Sequence, residues 1–250
     1  MKILLTNDDG IHADGLWALY RKLSPVHSVT VIAPECEKSA VSHAITLRDP
    51  IRVNKITLTD GELGYAVSGT PADCIKLAIN EILVQKPDMV ISGINPGANV
   101  GVNINYSGTV AAAREAALYG LPAIAVAMEG FEPTHYEDSA RFVEHLIRKV
   151  AQNAMPLGTF LNVNMPNLPR SKIAGVKICN QEIALFYEYF EKRTDPRNRI
   201  YYWQGCDMQT SNQNPDSDVG ALSNRYISIT PIKSDMTDYE ILEDLKRWDI

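Results

Sequence analysis

The first 33 residues leave few folds open. Ile3-Leu4-Leu5 is an apolar run of strand length, and Leu16, Leu19, Tyr20 and Leu23 fall at i, i+3, i+4 and i+7, one face of a helix that begins near Asp14. Val29-Thr30-Val31-Ile32-Ala33 is a second apolar run. Strand, helix and strand in that order predict a right-handed crossover and parallel pairing. Runs without polar alternation suit strands covered on both faces, as in a parallel sheet. The pattern recurs, with strands predicted at Tyr65-Ala66-Val67, Pro87 to Ser92, Ala123 to Ala127 and Leu161 to Asn164, the last closing the sheet. Helices are predicted from Thr70 through Ile82, from Val110 to Tyr119 and from Tyr136 to Asn153, and residues 44 to 64 read as a meander. The expected fold class is α/β, a mostly parallel sheet flanked by helices.

Where the first strand ends, the chain places an amide, two carboxylates and a glycine in succession: Asn7, Asp8, Asp9, Gly10. Ligands of open parallel sheets bind beyond the carboxyl ends of the strands. Adjacent side chains on a strand point to opposite faces, so Asp8 and Asp9 approach one cation only where the chain is already turning, a freedom that Gly10 supplies. Taken alone, an Asp-Asp-Gly also fits a strand end and a helix cap. If the first two strands are neighbours, the loop Glu35 to His43 emerges beside this corner with the hydroxyls of Ser39 and Ser42. The connection Gly93 to Thr109 is rich in glycine and asparagine, Asn95 and Asn99 among them, and long connections of this kind carry function more often than packing. It ends at Ser107-Gly108-Thr109, where free backbone N–H groups, hydroxyls and a helix dipole converge; a phosphate fits there, as does a plain serine cap. Two carboxylates, a serine hydroxyl and an asparagine amide are hard oxygen donors, which select Mg²⁺ or Mn²⁺ over zinc. A divalent ion beside a phosphate-binding helix start points to phosphomonoester hydrolysis. Walker, GxGxxG and GxSxG motifs are absent from the sequence.

A net charge of −6 offers no basic stripe for a nucleic-acid polymer, while a single nucleotide remains open. Cys36, Cys74, Cys179 and Cys206 are widely spaced, without a CxxC, which removes zinc-ribbon and disulfide-scaffold readings. The apolar start is too short for a signal peptide and no stretch is long enough to span a membrane, so the expected location is the cytoplasm. After residue 170 the character changes. Residues 171–250 read as a β-rich extension to a core of residues 1–170, with aromatic stretches Phe186 to Phe190 and Ile200 to Trp203 in a hairpin that needs cover, most simply another copy of the chain, with packing on its own domain the alternative. A polar loop from Gln209 to Asp218, a late strand from Tyr226 to Pro231 and a capping box at Thr237-Asp238-Tyr239-Glu240 opening a terminal helix complete the extension.

These blocks together resemble one family. Thr6-Asn7-Asp8-Asp9-Gly10, Ala33-Pro34 with Ser39, Ser68 to Cys74, Ser92-Gly93-Ile94-Asn95 with Gly97 and Asn99, Tyr106 to Val110, and Ser228-Ile229-Thr230-Pro231 are similar to the SurE family of 5′- and 3′-nucleotidases over essentially the full length. The resemblance implies a Rossmann-like fold, hydrolysis of nucleoside 5′- and 3′-monophosphates, activity on short polyphosphate, and dimers or tetramers built with C-terminal arms. It implies one Mg²⁺ or Mn²⁺ per subunit on Asp8, Asp9, Ser39 and Asn95, with Asp8 and Asp9 catalytic. Asn7, Asn95, Asn99, Ser107, Gly108 and Thr109 are the implied phosphate and substrate residues. The chain departs from the family at Ala40 and Arg225, where glycine is usual, and at Ala111 and Arg114, where glycine and methionine are common. Two rival classes, a nucleotide sensor without chemistry and a structural oligomer, are separated from an enzyme by assaying phosphate release.

Overall fold

The structure, a computed structural model, describes residues 1–57, 61, 63–183, 187–207 and 214–249. Strand β1 (Lys2–Thr6), helix α1 (Asp14–Leu23) and strand β2 (Ser28–Pro34) form the expected unit, with β1 and β2 parallel in the register Ile3 to Val29. Leu16, Leu19 and Leu23 lie on the inner stripe of α1 and are wholly buried, each contributing on the order of 2 kcal/mol of hydrophobic stabilisation. Asp14 is the first helical residue and not a cap; Ala13 precedes the helix with no side-chain bond to it.

The sheet continues through β3 (Val53–Thr57), β4 (Leu63–Val67), β5 (Met89–Pro96), β6 (Ala123–Met128), β7 (Thr159–Met165), β8 (Gly175–Ile178) and β11 (Tyr226–Lys233). Their order is β3-β4-β2-β1-β5-β6-β7-β11-β8, and only the β3–β4 and β7–β11 pairs are antiparallel. Helix α4 (Tyr136–Ala151) joins α1 on one face, over Ile3, Leu5, Ile91 and Val163. On the other face lie α2 (Pro71–Leu77), continued by a helical turn over Ala78–Ile82, and α3 (Gly108–Leu118), covering Leu4, Val90 and Phe160. Thr70 and Asp73 close a reciprocal capping box at the start of α2, with Pro71 in the first helical position. From β1 the chain moves outward through β2 to β3 and β4, then crosses back past β1 to β5 and proceeds the other way through β6 and β7. The crevice beyond the carboxyl ends of β1 and β5 is therefore the topological switch point.

Several expectations need correction. The sheet does not close at β7, because β11 returns from the C-terminal region to pair with it and carries β8 alongside. Residues 44–52 form no strand, so the meander reduces to the β3–β4 hairpin. A short helix, α5 (Asp218–Ser223), capped by Ser217, follows the polar stretch. The cap of α6 (Tyr239–Leu245) is Asp238, whose side chain accepts from the N–H groups of Glu240 and Ile241, and not Thr237. Strands β9 (Tyr187–Thr194) and β10 (Ile200–Asp207) form a separate antiparallel hairpin on which Tyr189, Phe190, Tyr202 and Trp203 are more than half exposed. The expectations attached to Asp60, Phe186 and residues 209–213 lie outside the described residues.

Two of the departures from the family pattern have a common backbone reason. Ala40 and Arg225 stand at φ 56° and 63°. Glycine enters that left-handed region without strain, and a side chain there costs about 1 to 2 kcal/mol. The turn before β11 and the Ser39 loop are thus held in shape by their surroundings.

Candidate active site

Asn7 shapes the corner at the end of β1. Its Nδ2 donates to the Gly10 carbonyl at 3.0 Å and its Oδ1 accepts from the Gly10 N–H at 3.2 Å, closing the turn that carries Asp8 and Asp9. Gly10 takes φ 102° to complete it. The Thr109 hydroxyl, 101 residues on, donates to Asp8 Oδ1 and also lies 3.5 Å from Asn95 Oδ1. One hydroxyl between both side chains holds the two oxygens within about 7 Å of each other. Asn95 gets there because β5 does not stop at Ser92. It runs on to Pro96 past a register shift against β6 between Ser92 and Asn95. The Asn95 Nδ2 donates to the carbonyls of Pro96 and Gly97, at 3.2 and 2.7 Å, which leaves Oδ1 on the side of the Thr109 hydroxyl.

Helix α3 starts against this group. Ser107 caps it by accepting the Val110 N–H at 3.1 Å, and Gly108 comes so close to Asp8 that a Cβ on it would sit 2.8 Å from both Asp8 Cβ and Oδ2. The Ser39 loop reaches the corner through its backbone: the Lys38 N–H donates to the Asp8 carbonyl at 2.7 Å. Farther along, the Ser42 hydroxyl donates to the Asn105 carbonyl at 2.7 Å, and His43 Nε2 lies 2.7 Å from the buried Glu115. The Ser39 hydroxyl itself is exposed and donates to Glu37 Oε1 at 2.6 Å. Asn99 is held by two residues that the sequence did not single out. Asn162 and Asn164 of β7, both wholly buried, donate to its carbonyl at 2.8 and 3.1 Å, while Asn164 Oδ1 accepts its N–H at 2.7 Å. The signal was present as two amides at alternate positions of an otherwise apolar strand, Leu161 to Met165. The side-chain nitrogen of Asn99 is buried with no partner among the described residues.

Residues 3–188 match the family model described as survival protein SurE. The chain belongs to the SurE family. It is 54% identical over its whole length to a protein from Desulfatibacillum aliphaticivorans named 5′-nucleotidase SurE, of which it covers 99%. It is 48% identical to one of the same name from Syntrophobacter fumaroxidans, with all of both chains aligned. The crystal structure of the SurE protein from Aquifex aeolicus superimposes with a TM-score of 0.86 at 36% identity, covering 98% of each chain. Fold and family therefore agree with the resemblance carried by the sequence blocks.

In this SurE chain the acidic corner is electrostatically strained. Burial pushes the Asp8 carboxyl up, against the opposing pull of the Thr109 hydroxyl. Asp9 is pushed up to about 7, chiefly by burial and then by the negative charges of Asp8 and Glu37. Asp9 Oδ2 is buried without a hydrogen-bond partner among the described residues. An unpartnered carboxylate oxygen, a second carboxylate beside it and an amide oxygen that shares the Thr109 hydroxyl with Asp8 form a donor set that fits a hard divalent cation, whose charge offsets the repulsion.

A pH test follows from Asp9. Without a cation the folded chain holds the Asp9 proton more tightly than the unfolded chain, so stability falls as pH rises from about 4, the unfolded value, toward about 7. The full penalty is present above that range. In EDTA, Asp9→Asn should stabilise the protein by on the order of 2 kcal/mol at pH 8 and by little at pH 4.5, read as urea midpoints. Mn²⁺ at pH 8 should raise the wild-type midpoint and hardly move that of the variant. A wild-type-to-variant gap that does not change with pH would show that no proton is held there.

Proposed function

We propose that this chain is a metal-dependent phosphomonoesterase that hydrolyses nucleoside 5′-monophosphates, and also 3′-monophosphates, to nucleoside and phosphate, with short-chain polyphosphate as a further substrate. The observation that carries the reading is the meeting of Asp8, Asn95 and Thr109 beside the unpartnered Asp9 oxygen at the sheet's switch point, in a chain aligned end to end with proteins named 5′-nucleotidases. Asp8, Asp9 and Asn95 would hold one Mg²⁺ or Mn²⁺ per subunit, joined by Ser39 once its hydroxyl leaves Glu37. When bound, such an ion supplies positive charge that polarises a phosphoryl oxygen and makes adjacent water a better nucleophile.

The chain's own groups do the rest. The Ser107 hydroxyl and the N–H groups of Gly108 and Thr109 receive the phosphate at the positive end of α3, and the Asn99 side-chain nitrogen, without a partner among the described residues, donates to the substrate. Asp8 and Asp9 are the catalytic carboxylates, and one of the two accepts the proton of the water that attacks phosphorus in line. Asn7 holds the turn through one N–H and its oxygen, and the second N–H of its amide donates to the phosphate. The core of residues 1–170 carries this machinery. The extension of residues 171–250 supplies dimer or tetramer contacts, supported by the exposed aromatics of β9 and β10.

Phosphate release from 5′-AMP, 5′-GMP and 3′-AMP with Mn²⁺ or Mg²⁺, in the presence and absence of EDTA, tests the reading. Release that depends on the ion is expected from all three. Equal rates with and without chelator defeat it.

A further inference from the structure

The segments on either side of the β9–β10 hairpin, Asn180 to Glu182 before it and Asp216 to Val219 after it, are tied together and to Gly101. The Asp218 N–H donates to the Asn180 carbonyl at 2.9 Å, and the Asn180 N–H donates to the Asp216 carbonyl at 3.1 Å. The Asp218 carboxylate, wholly buried, uses Oδ1 to accept the N–H groups of Glu182 at 3.0 Å and Val219 at 2.8 Å. Its Oδ2 crosses to the other segment and accepts the Gly101 N–H at 2.9 Å. Gln181 Nε2 donates to the Gly101 carbonyl at 2.8 Å. Both backbone polar groups of Gly101 are thus held by the hairpin's root, one from each side.

Gly101 stands two residues after Asn99 and begins the helical turn Gly101–Asn105. The Asn103 carbonyl of that turn accepts the N–H of Ser107, which caps α3. The hydrogen bonds at Gly101 and at Asn103, joined by the two-residue step of backbone between them, therefore connect Asp218 and Gln181 to the start of the proposed phosphate turn. We propose that Asp218 and Gln181 are positioning residues that hold the segment from Asn99 to Ser107 for nucleotide binding, making the base of the hairpin part of the substrate site's support. The proposal rests on the nucleotidase reading for its choice of ligand.

Asp218→Asn puts an amide nitrogen either against the Gly101 N–H or against those of Glu182 and Val219, donor facing donor, at nearly unchanged volume. Gln181→Ala removes the second bond alone and leaves the buried carboxylate intact. Two readouts are needed: KM against kcat for 5′-AMP with saturating Mn²⁺, and amide exchange across residues 99–107. For Asp218→Asn, KM should rise about tenfold with kcat within about twofold of wild type, and for Gln181→Ala about threefold. Exchange at 100–105 should quicken in both variants while that of the β1 and β5 amides stays slow. Unchanged KM overturns the proposal, even where exchange quickens, since the tie would then be structural only. If Asp218→Asn does not fold, Gln181→Ala decides by the same criteria. Failure of the nucleotidase reading shows differently, as no Mn²⁺-dependent phosphate release from the wild type; equal exchange in wild type and variants would then overturn the tie.

Discussion

Replacing Asp8 with asparagine should leave the fold standing and cut Mn²⁺-dependent release of phosphate from 5′-AMP by on the order of 10²-fold or more. The substitution keeps size and shape, and Oδ1 can still accept the Thr109 hydroxyl that now joins Asp8 to Asn95. What disappears is a buried negative charge, the one least screened by water in the corner. A hard cation in the proposed site would be held mainly by charge, so the loss would fall on its affinity and on its placement against phosphate. Stability should move the other way. Burial makes the Asp8 charge costly to the metal-free fold, and a neutral amide relieves that cost, so the variant's melting temperature in EDTA at pH 8 should equal or exceed that of wild type. Excess Mn²⁺ should restore only part of the activity. Near-wild-type turnover in a folded variant would remove Asp8 from the chemistry.

What could be read from the sequence divides by range. The strands and helices of the core were legible because each is announced within a dozen residues, by apolar runs, helical spacing and caps such as Thr70-Pro71. The acidic corner was legible because Asp8, Asp9 and Gly10 are contiguous. Its completion depends on contacts no local pattern records. Thr109 meets Asp8 across 101 residues, and Asn95 reaches the Thr109 hydroxyl because β5 outruns its apolar segment by four residues into glycine and proline. Ser39 shows the limit from the other side. Strand adjacency placed its loop correctly, yet the direction of its hydroxyl is set by Glu37, two residues away on an exposed turn. Asn162, Asn164 and Asp218 went unnoticed for a related reason. Each satisfies backbone groups of the 99–101 segment from 63 to 117 residues away, and polar residues in a strand or a polar loop do not declare a partner.

Gly108→Ala should abolish most activity, by on the order of 10²-fold, although a general argument from helix propensity points to a benefit. Gly108 is the first residue of α3, and alanine in a helix is preferred to glycine by about 1 kcal/mol. Its backbone is not in the left-handed region, so conformation raises no objection. The objection is Asp8. A Cβ would stand 2.8 Å from Asp8 Cβ and from Oδ2, and neither belongs to the far end of a flexible chain free to swing away, because Thr109 pins the carboxylate and the turn of Asn7 and Gly10 pins the backbone. Something has to shift, and the choices are the carboxylate, the start of α3 or both, each a part of the proposed site. The two effects separate in the measurement. Melting temperature should change by only a few degrees, as the gain in propensity and the local clash oppose each other, while kcat/KM for 5′-AMP falls steeply. Gly108→Ser, which adds the same Cβ and a hydroxyl, should fare no better. Wild-type kcat/KM in Gly108→Ala would mean that the contact between Asp8 and the helix start plays no part in the chemistry.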